Sequence, residues 1–167
     1  MSALPNVILI ITALTTALMA GLFYAYSCSV NLGLGRLPDA GYIAAMQSIN
    51  RAIQNPVFFI CFLGTLVLLP LSTYLSYGQP LSRRFLFLAG ATLMYLVGVF
   101  GVTIFGNIPL NQGLDVFNPD SASIAEIASQ RAKFEGPWNK LNTIRTVAST
   151  LAILFVIIAC LSPNDEE

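Results

Sequence analysis

Histidine is absent from all 167 residues. That single omission removes His-ligated haem, His-bearing zinc or copper sites and every Ser–His or Cys–His dyad. Charge is scarce as well. Only 10% of residues are Asp, Glu, Lys or Arg, where a soluble domain carries about 25%. The eight basic and eight acidic residues cancel, which leaves no basic surface to displace counterions from nucleic acid. Cysteine is limited to Cys28, Cys61 and Cys160, all within or beside apolar runs. An odd, membrane-embedded set reads as small buried side chains rather than a disulfide framework. No CxxC, phosphate-cradling glycine loop, G-x-S-x-G or pair of carboxylates occurs.

What is present is hydrophobic length. Of the chain, 56% is apolar, and crossing the hydrocarbon layer takes about 20 apolar residues in helix. Four runs qualify, at Val7–Val30, Val57–Ser76, Phe85–Gly106 and Thr143–Leu161. The first is too long for the core of a signal peptide and has no Lys or Arg before it, so it reads as a retained span. The expectation is one all-α integral membrane domain over residues 1–167, a transmembrane four-helix bundle in a lipid bilayer. Arg83 and Arg84 abut the short connection "YGQPLSRR". By the positive-inside rule they place both termini in the cytoplasm, although the two long connections hold more basic residues in total.

Short interfacial helices are predicted in the first and third connections. In the first, Asp39 can cap, and Tyr42, Met46, Ile49 and Ile53 form an apolar stripe at helical spacing. In the third, "SIAE" at residues 123–126 is a capping box. Ile127, Arg131 and Phe134 come next, before Gly136-Pro137, which predicts a break. Asp115, Asp120, Glu126 and Glu135 in this region read as solvated.

The polar residues near the spans are patterned. In "YIAAMQSINRAIQNP", Gln47, Asn50 and Gln54 share a helical face, and Asn55-Pro56 ends that helix and begins the second span. These amides can face headgroups, as on an interfacial helix, or turn into the bundle mouth. "PWNKLNTIRTVAS" sets Trp138, Asn142, Arg145 and Ser149 on one stripe descending into the membrane. An arginine here either snorkels outward or points inward toward carbonyls, a carboxylate or an anionic ligand. "GNIPLNQGL" places Asn107 and Asn111 around Pro109 at the same membrane face. Thr12, Thr16 and Ser27 can bond back to their own helix. Tyr24 and Tyr26 fit an aromatic belt, and Gly90, Gly98 and Gly101 fit helix packing.

"GLFYAYSCSVNLGL", "YIAAMQSINRAIQNPVF", "GNIPLNQGL" and "WNKLNTIRT", in this order, resemble the anthrone oxygenase-like family of four-span membrane proteins, much of it a domain of unknown function. Its characterised fungal members oxidise anthrones to anthraquinones. The resemblance implies a shared fold and pocket, with Gln47, Asn50, Asn55, Asn107, Asn111, Trp138, Asn142 and Arg145 as ligand-binding candidates. If the chain is an enzyme, an oxygenase-type oxidoreductase without metal is implied, its cofactor unknown and no His-ligated metal or haem expected. The expected ligand is a hydrophobic small molecule, apolar-aromatic or quinone-like, held between the helices. The alternative is a structural or accessory subunit without catalysis, joined to copies of itself or to another membrane complex. A transporter is a poorer fit, since neither an acidic relay nor a repeat is present.

Overall fold

The computed structural model describes residues 3–162 except Gln79. Its elements are helices, with no strand among the described residues. Four are long and apolar enough to cross a membrane: α1 (Leu4–Leu34), α3 (Pro56–Leu75), α4 (Arg83–Asp115) and α5 (Ile124–Leu161). Between the first two, α2 (Asp39–Ala52) lies across the long-loop end. Met1, Ser2 and residues 163–167, on which the expected placement of the termini falls, lie outside the described residues.

Each span packs on two others in the ring α1–α3–α4–α5. With sequential neighbours in contact and directions alternating, this is an up-down-up-down bundle. Apolar burial cannot hold helices together in lipid, which is as apolar as leucine, so close packing and polar ties must. Both are present. On α5, Ala148, Ala152, Val156 and Ala159 form a narrow buried seam. Opposite it, a β-carbon added at Gly98 would collide with the Ala148 methyl, and one at Gly90 would lie 3.1 Å from the Phe155 ring. Gly101 has no such neighbour on another helix.

The ties are hydroxyl pairs. Thr12 and Ser72 (2.8 Å) join α1 to α3, Thr73 and Thr92 (2.9 Å) join α3 to α4, and Ser27 and Thr146 (2.8 Å) join α1 to α5. The Tyr95 hydroxyl also donates to the Phe62 carbonyl at 2.9 Å. At the other end of the α4–α5 seam, Arg84 donates to the carbonyls of Ala159 and Ser162 (3.2 and 3.1 Å), closing α5's open C-terminus.

A second, smaller core caps the long-loop end. Tyr42, Ile43 and Met46 of α2 meet Leu114, Phe134 and Trp138. Arg131 fastens it, reaching Asp39 (2.9 Å), Glu135 (2.7 Å) and the carbonyls of Leu37 and Gly35, with its guanidinium 4.5 Å from the Tyr42 ring centre. Burial pushes the Tyr42 phenol well above its ordinary value. Glu135 adds to the rise and Arg131 opposes it.

Several expectations need correction. The third-connection helix exists and starts at the Ser123–Glu126 capping box, but it runs without a break through Gly136-Pro137 into the fourth span. Gly136 has no Cβ to meet the proline ring, which relieves the usual clash at the preceding residue. Phe134 and Trp138, on either side, are both locked into the cap core. Asp39 is not a cap: it lies inside the first turn, and its carboxylate serves Arg131. Asp115 and Glu135 are ion-paired rather than simply solvated. Cys28 and Cys160 are exposed on the outside of the bundle and Cys61 is half-buried, so they are not the small buried side chains that their apolar surroundings suggest.

Candidate functional site

Beneath α2 the bundle opens into a cleft of about 730 Å³, within the range of small-molecule sites. Local sequence explains its walls. Asn55 accepts from the Phe58 amide at 3.1 Å and Pro56 occupies the first turn, which starts α3 just above the cleft. Phe58 and Phe62 then fall one turn apart and stack, their centroids 5.2 Å apart. With Phe59 and Leu63 they make one wall.

The facing wall comes from α4, where two π-helical segments, Met94–Gly101 and Thr103–Asn107, interrupt the regular helix. A π-turn widens the helix and rotates the residues beyond it, a feature frequent at functional sites. Here Phe100, Thr103, Ile104, Asn107 and Asn111 all reach the cleft. A third π-segment, Tyr26–Val30 in α1, precedes the α2 connection. Tyr26 lines the cleft with its ring centroid 5.6 Å from that of Trp138. It is a wall residue rather than a member of the aromatic belt to which its position assigned it.

The polar stripe of α5 faces inward. Trp138, Asn142, Arg145 and Ser149 are all buried, Arg145 to 7% exposure. Trp138 donates its indole N–H to Asn111 Oδ1 at 2.9 Å. Asn142 donates to Ser27 Oγ at 3.0 Å and accepts from Arg145 Nη2 at 3.0 Å. The guanidinium lies 4.6 Å from the centre of the Phe23 ring and 5.3 Å from that of Trp138, so two ring faces hold the cation. No carboxylate pairs with it among the described residues. Arg145 Nε, Asn50 Nδ2 and both amide atoms of Asn107 are buried without a hydrogen-bond partner.

Six of the eight candidates therefore share this cleft: Asn50, Asn107, Asn111, Trp138, Asn142 and Arg145. Gln47 and Asn55 lie outside it. The Gln47 amide donates to the carbonyls of Leu114 and Phe117 (2.8 and 2.7 Å), tying α2 to the end of α4. Asn55 is used as the α3 cap and donates to the Ala52 carbonyl. At the water-facing rim, Arg51 and Asp115 pair at 2.7 Å. Both line the cleft, and Asp115 is the one carboxylate in its described lining. The aromatic wall had a signal in the spacing of Phe58 and Phe62, one turn apart. Tyr26 and Asp115 had none, because their positions depend on the π-segments and on α2 docking.

A family model described as anthrone oxygenase matches residues 45–155. The chain belongs to that family. The matched region takes in α3, α4, part of α2 and most of α5, so the anthrone oxygenase match covers most of the residues that enclose the cleft. Comparison with curated proteins and with solved structures gives no match.

Proposed function

We propose that the cleft binds a small apolar aromatic or quinone-like molecule and that the protein acts on it as an anthrone oxygenase-like oxidoreductase. One observation carries the reading. Buried polar atoms without partners, a cation among them, gather at the head of an aromatic-walled cleft. A buried donor left unmade costs about 1–3 kcal/mol, and a buried charge without a counterion costs more. A ligand oxygen that accepts from Arg145 and Asn107 offsets both. The flat faces of Phe58, Phe62 and Trp138 suit a planar ring system.

For an anthrone, the ring CH₂ beside the aromatic rings is acidic, because loss of its proton gives a delocalised anion with charge on the carbonyl oxygen. Arg145 favours that form by holding the oxygen. Net oxidation by dioxygen replaces the two hydrogens with one oxygen atom, and the second oxygen leaves as water. With Arg83 and Arg84 at the short-turn end, we place that end at the cytoplasm and the rim of the cleft on the opposite face.

The test is to purify the protein in mild detergent and supply anthrone under isotopically labelled dioxygen, with Arg145→Ala and Asn50→Ala beside the wild type. Anthraquinone carrying one labelled oxygen, formed by the wild type and much reduced in Arg145→Ala, is the expected result. Equal rates and equal bound chromophore in all three proteins contradict the reading. An outward α5 polar stripe would have favoured a subunit role, and its burial supports the ligand-binding reading instead.

A further inference from the structure

The cleft is lined by all four spans and by α2. Its back is α1 and α5, and its roof is α2. The Arg51–Asp115 pair spans its water-facing rim. α3 and α4 are joined by a Thr73–Thr92 hydrogen bond near the short turn and by a Tyr95–Phe62 hydrogen bond farther toward the cleft. Going toward the cleft, the last ring contact between these helices is Phe62 against Phe100, at 5.8 Å. Phe59, nearly one turn closer to the start of α3, and Leu63, beside Phe62, line the cleft from α3, and Ile104 and Ile108 line it from α4.

The residues of this slot are apolar and open outward. Phe59 and Leu63 are 42% and 45% exposed, and Ile108 is 36% exposed. Phe59 and Leu63 lie within the apolar run of a helix that crosses the membrane, so the medium they meet is acyl chain, and Ile108 stands just past the end of the third apolar run. Phe59 and Leu63 lie about 5 and 10 Å below the start of α3, at 1.5 Å per residue, which puts the slot near the headgroup end of the hydrocarbon layer.

We infer that the cleft takes its ligand from the bilayer, sideways through the slot between α3 and α4. The inference rests on the cleft being a ligand site and adds the phase that supplies it. The ligand is a molecule that partitions into lipid and lies near the headgroups. Its apolar body crosses between Phe59 and Leu63 of α3 and Ile104 and Ile108 of α4, and its oxygen arrives at Asn107 and Arg145. The polar rim, held by an ion pair, is not the route.

Trp138 is the chain's only tryptophan and lines the cleft, so it reports access directly. The full-length protein is reconstituted in phosphatidylcholine vesicles. Its emission is measured with lipid brominated near the headgroup end of the chains, and separately with aqueous iodide. Brominated lipid is expected to quench strongly and iodide weakly. Leu63→Phe with Ile108→Phe, which fills the slot, is expected to lower lipid quenching to about half or less, because side chains fill such gaps to near-crystalline density. Leu63→Ala with Ile108→Ala is expected to raise it. The opposite signs exclude a general loss of folding as the cause.

Lipid quenching unchanged by both pairs, or iodide quenching that dominates and grows in Arg51→Ala, overturns lateral access. The reading of the cleft as an anthrone site fails separately. It fails if vesicle-dissolved anthrone leaves Trp138 emission unaltered in a protein whose lipid quenching obeys the slot variants.

Discussion

Arg145 donates from Nη2 to the side-chain oxygen of Asn142, one turn before it on the same helix, at 3.0 Å, while its Nε has no partner. A neutral amide fixes the direction of the guanidinium without neutralising it. The charge is therefore held toward the cleft rather than cancelled inside the protein.

Replacing Arg145 by Met should separate binding from folding. Charge-assisted hydrogen bonds contribute about 1.5–3 kcal/mol, so affinity for an aromatic ligand with an ionisable oxygen should fall about tenfold or more. Thermal stability in detergent should hold or rise, since removing a buried unpaired charge relieves its desolvation. Titration followed by Trp138 fluorescence, with a melting curve on the same samples, checks both.

Asn107 makes the same separation with a neutral group. It is 1% exposed and neither amide atom has a partner. Asn107→Leu should raise folding stability by about 1 kcal/mol, as unsatisfied buried polar groups are costly. It should also weaken ligand binding. A variant less stable than wild type, with full binding, would show that Asn107 serves the fold.

Gly98 tests the packing of α4 on α5. Any side chain there collides with the Ala148 methyl. Gly98→Ala should cost about 1–3 kcal/mol by overpacking, and Gly98→Ala with Ala148→Gly should recover most of it. Denaturation of the two variants against wild type measures the recovery, and a double variant no better than the single one would refute the contact.

The cap over the cleft should loosen in alkali. The Tyr42 phenol keeps its proton in the folded protein above its ordinary value of 10.0, first through burial and then through Glu135. A raised value means its stabilising contribution is full below that ordinary value and is lost as pH climbs through and beyond it. Tyr42→Phe should remove this part of the alkaline destabilisation, measured as the difference in melting temperature across that window.

The architecture was legible because membrane spans depend on run length and the caps depend on local chemistry. Asn55-Pro56 and Ser123–Glu126 start helices in the structure where their residue types say they should. The inward stripe from Trp138 to Ser149 reflects regular helical spacing, and α5 is a regular helix there. The walls were less legible for a definite reason. π-segments at Tyr26–Val30 and Thr103–Asn107 shift the faces that a fixed 100° step predicts, and nothing in the residue types announces them. Pro137 misled because proline argues for a break, whereas Gly136 before it and two anchored aromatics beside it let the helix continue.

The most direct test is photo-affinity labelling of the reconstituted protein with a benzophenone bearing a phenol, then peptide mapping. Labels should fall on residues 58–63 and 103–111 and be lost in Arg145→Met or under excess anthrone. Labels spread over outward residues such as Ile10 and Leu154, indifferent to both, would contradict an aromatic ligand held between these helices.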